Sequence, residues 1–310
     1  MGYATMDAGA GTPSAHGASD VISRDVQIRA ADGRLLTGTL YEPDKPGEGA
    51  ITIIAGGTGI RRRYYGRFAS YLAGHGRSAL TFDYRDIGDS RSGPLKGSRV
   101  RMRDWCTLDV PGVLAHAAAI GSGRPVHWVG HSMGGFAPGL AQNNHVVARQ
   151  LNIATLNGYW RRMASPERYR VRILMGMGGP AIARALGYFP GVLMGGEDLP
   201  SPAFLEWVRW CMTPDFFMGD DTLPERANLS RYRAPIRFAQ IEDDVWGTPS
   251  AVDAIARYFT GSTDLSRWRI RLAEARATKI GHHGFFHDQF RGTLWPEALA
   301  WLDGGADPDN

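Results

Sequence analysis

Apolar and polar residues alternate with period two across residues 24–42, on both sides of Ala31-Asp32-Gly33-Arg34, which predicts an antiparallel hairpin. Beyond residue 50 the period changes. Residues 50–55 form a continuous apolar run, AITIIA, and shorter or more broken runs recur at 79–82, 126–129, 148–156 and 234–241. Runs of this length without alternation suit strands buried on both faces of a parallel sheet. Helical spacing fills the gaps between them. Tyr64, Phe68 and Leu72 stand at i, i+4 and i+8. Residues 102–120 read as helical, with Pro111 expected to kink or split them. Further helices are expected at 249–259, opened by Pro249, and at 294–302, with a last strand at 269–273.

The strand–helix alternation fails once, over residues 157–233. This stretch carries Trp160, Trp207 and Trp210, is rich in Met, Gly and Pro, and contains two expected helices near 170–186 and 202–212. It reads as a helical insertion over the top of the sheet. The expected fold is therefore α/β, a mostly parallel central sheet with helices on both faces. Its core spans 21–156 and 234–310, with a cap at 157–233. Residues 1–20 are small and polar and read as a disordered leader, and the tail from 304 is polar.

Within that frame, residues 125–140 (PVHWVGHSMGGFAPGL) carry the chemistry. A short strand turns sharply through Gly130-His-Ser-Met-Gly134 into a Gly/Ala-rich helix, the strand–turn–helix setting of a nucleophile elbow. Glycines at 130, 134 and 135 fit because a Cβ there would strike the neighbouring strand or helix. A serine hydroxyl needs a positioned base, and the base needs a third group to orient it. In chain order the partners follow Ser132, each just after an expected strand: Asp243 or Asp244, then a histidine of the Gly281-His-His-Gly284 segment. Asp244 is favoured because it stands closer to the turn that starts the next helix, and His282 because it follows the glycine directly; Asp243 and His283 stay open. An oxyanion hole needs two backbone donors. The Met133 amide is expected as one, and Gly57 or Thr58, after the strand at 50–55, as the other. Candidate substrate-binding residues are Tyr65, His131, Trp160, Trp207 and Trp246. The cap aromatics serve equally well as packing onto the core.

Composition narrows the alternatives. Hydrophobic residues make up 43% and charged residues 21% of the 310, enough for a sizeable core. The net charge of +4 comes almost wholly from arginine, scattered rather than massed in one stripe, so no nucleic-acid partner is expected. Arg61-Arg62-Arg63 reads as a solvated face, with an anion site as the sharper alternative. Cys106 and Cys211 are too few and too far apart for a disulfide framework and read as buried thiols, which with the absence of a signal sequence points to the cytoplasm. No apolar run approaches spanning length, so no membrane partner is expected. Neither a G-x-G-x-x-G nor a GK[ST] motif occurs, and no His/Cys/Asp cluster has metal spacing, so neither cofactor nor metal is expected.

Over residues 24–303 the chain resembles the α/β-hydrolase superfamily, within its serine-aminopeptidase-like group. The likeness rests on the glycine loop followed by Tyr65 and Phe68, on Asp83-Tyr-Arg-Asp-Ile-Gly-Asp-Ser90, on Gly130-His-Ser-Met-Gly-Gly135 and on Ile280-Gly-His-His-Gly-Phe-Phe286. Gly158-Tyr-Trp160, Gly187-Tyr-Phe-Pro190 and residues 206–211 resemble the cap of that group. Two departures stand out: Asp86 sits where such proteins commonly carry glycine, and Pro138 interrupts the elbow helix. The expected activity is acyl-enzyme hydrolysis of an ester or thioester of a hydrophobic small-molecule acyl substrate, either free or linked to CoA or a carrier. Acyl transfer, a non-hydrolytic biosynthetic reaction and ligand binding on the same fold are the alternatives.

Overall fold

The computed structural model describes residues 21–45 and 49–305. The expected leader at 1–20 and the last five residues of the tail lie outside these. The amino-terminal hairpin is formed by β1 (Val21–Arg29) and β2 (Leu35–Pro43), paired antiparallel from Val21↔Pro43 to Arg29↔Leu35. Then β3 (Ile51–Ala55), α1 (Gly66–Gly74) and β4 (Ser78–Phe82) follow, and β2 pairs antiparallel with β4. A short α2 (Met102–Asp104) runs through a π-helical turn, Trp105–Asp109, into α3 (Val110–Gly121). The expected break at Pro111 appears as this π-turn, which ends at Asp109 and leaves Pro111 at the second position of α3.

Next come β5 (Val126–His131), α4 (Met133–Leu140) and β6 (Val147–Ile153). The sheet is resumed by β9 (Ile236–Ile241), α8 (Pro249–Ala256), β10 (Leu265–Ile270) and α9 (Leu294–Leu302). The resulting eight-stranded sheet has the order β1-β2-β4-β3-β5-β6-β9-β10 and is parallel from β4 onwards. Successive residues of the central strands point to opposite layers. Ile53 and Trp128 pack with the layer that holds Val113 and Phe136, whereas Ile54 and Val129 pack with Phe68 and Trp295. That two-sided burial is why these strands are apolar throughout.

Two expected boundaries need correction. The last strand occupies 265–270 rather than 269–273. Pairing with β9 from Leu265↔Ile236 selects the alternating segment LSRWRI, half of which faces outward at the sheet edge. The strand at 148–156 ends at Ile153, where the chain leaves the sheet.

Between β6 and β9 runs an excursion carrying α5 (Glu167–Ile173), a π-helical turn (Leu174–Gly178), α6 (Gly179–Leu186), the two-residue strands β7 (Tyr188–Phe189) and β8 (Leu199–Pro200), and α7 (Ser201–Cys211). The first of its expected helices thus starts at Glu167 and is broken by a π-turn. Buried Arg103 fastens the excursion to the core, its guanidinium 2.6 Å from Glu206 and 2.9 Å from Asp220. Phe189 and Phe204 stack at 3.7 Å inside it. Cys106 and Cys211 are buried free thiols. Among the described residues no helix is long and apolar enough to cross a membrane.

Candidate active site

The carboxyl ends of the parallel strands deliver the site. After β5 the chain reverses at Ser132, whose φ of 52° is an unfavourable backbone setting for a residue with a side chain. The turn closes only because its neighbours lack Cβ atoms. A Cβ on Gly130 would lie 2.3 Å from Cα of Gly135, and one on Gly134 would lie 2.3 Å from the Ala55 carbonyl oxygen. The Ser132 amide donates to the Ile153 carbonyl at 3.0 Å, pinning the turn to β6.

The loop after β9 presents two carboxylates with different tasks. Asp244, 4% exposed, lies 2.7 Å from Nδ1 of His282. Asp243 instead accepts the amides of Ile280 and Gly281, at 3.0 and 2.8 Å, and so sets the path of the chain just before His282. His282 Nε2 stands 3.0 Å from Ser132 Oγ. With Asp244 accepting from Nδ1, Nε2 is left as the acceptor for the serine hydroxyl. Burial alone would raise the Asp244 carboxyl. The charge and hydrogen bond of His282, with the amides of Gly247 and Trp246, hold it below the ordinary carboxylate value. The aspartate therefore stays anionic behind the histidine. His283 packs edge-on against the His282 ring at 5.0 Å and does not reach Ser132 or Asp244 by a hydrogen bond.

Ser132 and His282 open into a cavity of about 490 Å3 between the core and the excursion. Thr58 and Ile60 line it from the loop after β3, Phe189, Leu199 and Trp207 from the excursion, and Trp246 from the loop after β9. Glu197 closes one side: its amide donates to the Gly59 carbonyl at 2.8 Å, and its carboxylate pairs with Arg61 at 2.7 Å. Phe189 falls in the Gly187–Pro190 segment but was given no substrate role, and none of Ile60, Leu199 or Glu197 was marked by periodicity or motif, since each is selected by the docking of the excursion onto the β3 loop.

Trp207 and Trp246 thus lie where a substrate-binding role was expected, but the other three candidates do not. Tyr65 and His131 are fully buried behind the cavity wall, and Trp160 is half-buried on the excursion with Arg161 over its ring. Tyr65 and His131 form a relay instead. The Gly57 amide donates to Tyr65 Oη at 2.9 Å, Tyr65 Oη donates to His131 Nδ1 at 2.8 Å, and His131 Nε2 donates to the His282 carbonyl at 2.9 Å. Burial, then the neighbouring His282 and His283, hold His131 well below the ordinary histidine range, so it stays neutral and keeps the tautomer this relay requires. The relay also removes Gly57 as an oxyanion donor, because its amide is already committed. Among the described residues the Thr58 amide donates to nothing else, and the Met133 amide stands at the first position of α4, where no intrahelical partner exists.

Arg61 and Arg63 of the arginine run are exposed, but Arg62 is not part of a solvated face. Arg62, 2% exposed, pairs with Asp83 at 2.6 Å and Asp89 at 2.6 Å, and its amide donates to Asp83 at 2.7 Å. This fixes the chain directly after the glycine loop. Asp86 takes the positive φ (62°) that glycine adopts cheaply, and is held there by Arg34 and by the Ser98 hydroxyl at 2.6 Å.

Solved structures share this architecture at low identity. A soluble variant of monoglyceride lipase from Saccharomyces cerevisiae, in complex with a substrate analogue, superposes with a TM-score of 0.68 at 13% identity, covering 94% of this chain and 99% of that one. A thermophilic esterase from Thermogutta terrifontis gives 0.54 at 18% identity, covering 91% and 98%. An esterase from Exiguobacterium antarcticum gives 0.58 at 15% identity, covering 90% and 100%. No curated protein matches the sequence. The model of the Alpha/beta hydrolase family matches residues 53–305, from β3 through α9, and with the sheet order and the elbow at Ser132 this match establishes that the chain is an enzyme belonging to the alpha/beta hydrolase family.

Proposed function

We propose that the protein is a serine esterase that cleaves carboxylic esters of hydrophobic small molecules through an acyl-enzyme. The observation that carries this reading is the line from Ser132 Oγ through His282 to Asp244, at 3.0 and 2.7 Å, at the edge of a mostly apolar cavity. His282 Nε2 takes the Ser132 proton as Oγ attacks the carbonyl carbon. Asp244 holds the imidazole in the right tautomer and balances the imidazolium. The amides of Met133 and Thr58 receive the developing oxyanion, and the N-terminus of α4 directly behind Ser132 favours that charge. His282 then returns the proton to the leaving alkoxide, and a water activated by the same Nε2 releases the acid.

Ile60, Phe189, Leu199 and Trp207 suit the apolar part of the substrate. The excursion over residues 157–233 acts in this reading as the cap that excludes bulk water from the acyl-enzyme. The experiment is steady-state hydrolysis of a p-nitrophenyl ester series by wild type and Ser132→Ala. Turnover that rises with acyl length and vanishes in the variant supports the reading. Turnover retained by a folded Ser132→Ala rejects it.

A further inference from the structure

The excursion presents an outward face that the active site does not use. Of the ten large apolar side chains exposed among the described residues, six lie on it (Tyr169, Ile173, Met177, Leu186, Val192 and Leu193), and a seventh, Val245, lines the cavity mouth. Tyr169, Ile173 and Met177 recur every four residues through α5 and the π-turn, and the last two are 62% and 67% exposed. Val171, Met175 and Ala183 take the buried positions of the same run. Single exposed apolar residues need no explanation, but six of them concentrated in residues 169–193 do.

Charge follows the same face. Residues 168–196 contain Arg168, Arg170, Arg172 and Arg184 and no aspartate or glutamate. The acids that border this stretch are already engaged: Glu167 pairs with Arg170 and Glu197 with Arg61. Arg172 and Arg184 are exposed and have no carboxylate partner among the described residues. Apolar side chains standing out of a cationic helical surface, with an aromatic among them, have the chemistry of an interfacial segment that lies in the headgroup region of an anionic bilayer.

We propose that the outer face of residues 167–193 is a docking surface for an anionic lipid membrane. The expectation of no membrane partner rested on the lack of a spanning segment, and a peripheral contact needs none. A second copy of the chain fits worse, because a two-fold contact through this face would set arginines against arginines. The placement also gives the cavity a use for the contact. Arg170, Phe189, Gly191 and Met194 line the cavity while Ile173, Val192 and Leu193, close by in the same stretch, are exposed. A bilayer seated on this face therefore lies beside the cavity. The surface goes beyond the esterase reading and stands whether or not Ser132 is catalytic.

Co-sedimentation of the full chain with phosphatidylcholine vesicles, with and without phosphatidylserine, tests it. Wild type should sediment with phosphatidylserine vesicles, less so at high salt, and scarcely with phosphatidylcholine alone. Ile173→Glu/Met177→Glu should abolish sedimentation, and Arg172→Gln and Arg184→Gln should each weaken it roughly fivefold. Hydrolysis of a soluble short-chain ester and the melting temperature should not change. Should the glutamate variant fail to fold, the arginine variants decide alone. The proposal is overturned if wild type ignores phosphatidylserine, or if folded variants sediment as wild type does. It is equally overturned if the glutamate pair dissolves a dimer, or releases an acidic protein, in place of vesicle binding.

Discussion

Replacing Tyr65 by phenylalanine removes one oxygen atom from the centre of the molecule and leaves its ring in place. That oxygen accepts from the Gly57 amide at 2.9 Å and donates to His131 Nδ1 at 2.8 Å, and neither Tyr65 nor His131 has any solvent-exposed surface. Without it a buried N–H and a buried ring nitrogen lose their partners. Each such loss costs about 1–3 kcal/mol, partly offset because the phenol hydroxyl no longer has to be buried. Tyr65→Phe should therefore lower unfolding free energy by about 2–4 kcal/mol. The effect on turnover follows from what the relay holds. One end fixes the loop that carries the Thr58 amide, and the other holds the carbonyl of His282. Loosening both ends would misplace the proposed oxyanion donor and the proposed base together, so kcat should fall about 10- to 100-fold with KM nearly unchanged. Ester turnover measured well below the melting temperature, beside urea unfolding, separates the two effects. Wild-type kcat in a variant of reduced stability would refute a positioning role and leave the relay as a structural feature only.

Other parts of the site predict effects of different size and kind. Asp244→Asn preserves the shape but lets His282 take the wrong tautomer, and should cost ~10⁴-fold in kcat with little change in fold, measured by ester turnover and circular dichroism. Arg62→Met leaves the carboxylate of Asp83 buried without its cation, and should destabilise by about 3–5 kcal/mol in urea unfolding. His127 is held at about 4, first by burial and then by the charges of Arg77 and Arg149. In the unfolded chain it titrates near its ordinary value of about 6.5, so between these values the unfolded state binds the extra proton. Its contribution is thus present above pH ~6.5 and is lost as pH falls toward 4, at up to about 1.4 kcal/mol per pH unit. Unfolding curves across this range should show the loss, and His127→Gln should reduce it, leaving the part that His131 and His283 contribute.

Much of this was legible in the sequence, for a reason specific to parallel sheets. Strands covered on both faces leave long apolar runs, and β3, β4 and β5 could be placed from those runs alone. The turn at Ser132 was legible because its geometry tolerates so few residues that the glycines around it become a signature. An aspartate at 243 or 244 and a histidine at 282 or 283 followed from their order and from their places after strands, and it is the structure that brings Asp244 and His282 together with Ser132. What escaped depends on proximity between distant segments. The middle residue of an arginine triplet looks as solvated as its neighbours until Asp83 and Asp89 are seen to converge on it. Tyr65 and His131 were expected to bind substrate, yet their polar atoms are spent on each other and on the backbone of residues 57 and 282. The edge strand β10 was misplaced because half of it faces outward, so its hydrophobic signal is no stronger than that of the segment following it.

The central claim is that Ser132 is an activated nucleophile, and covalent trapping tests it most directly. The native protein would be treated with a fluorophosphonate and its peptides analysed by mass spectrometry, with Ser132→Ala and His282→Ala treated alongside. The account predicts stoichiometric modification of the peptide carrying Ser132, none in Ser132→Ala, and labelling slowed by orders of magnitude in His282→Ala. A folded wild-type protein left unmodified, or modified at another serine, would contradict it.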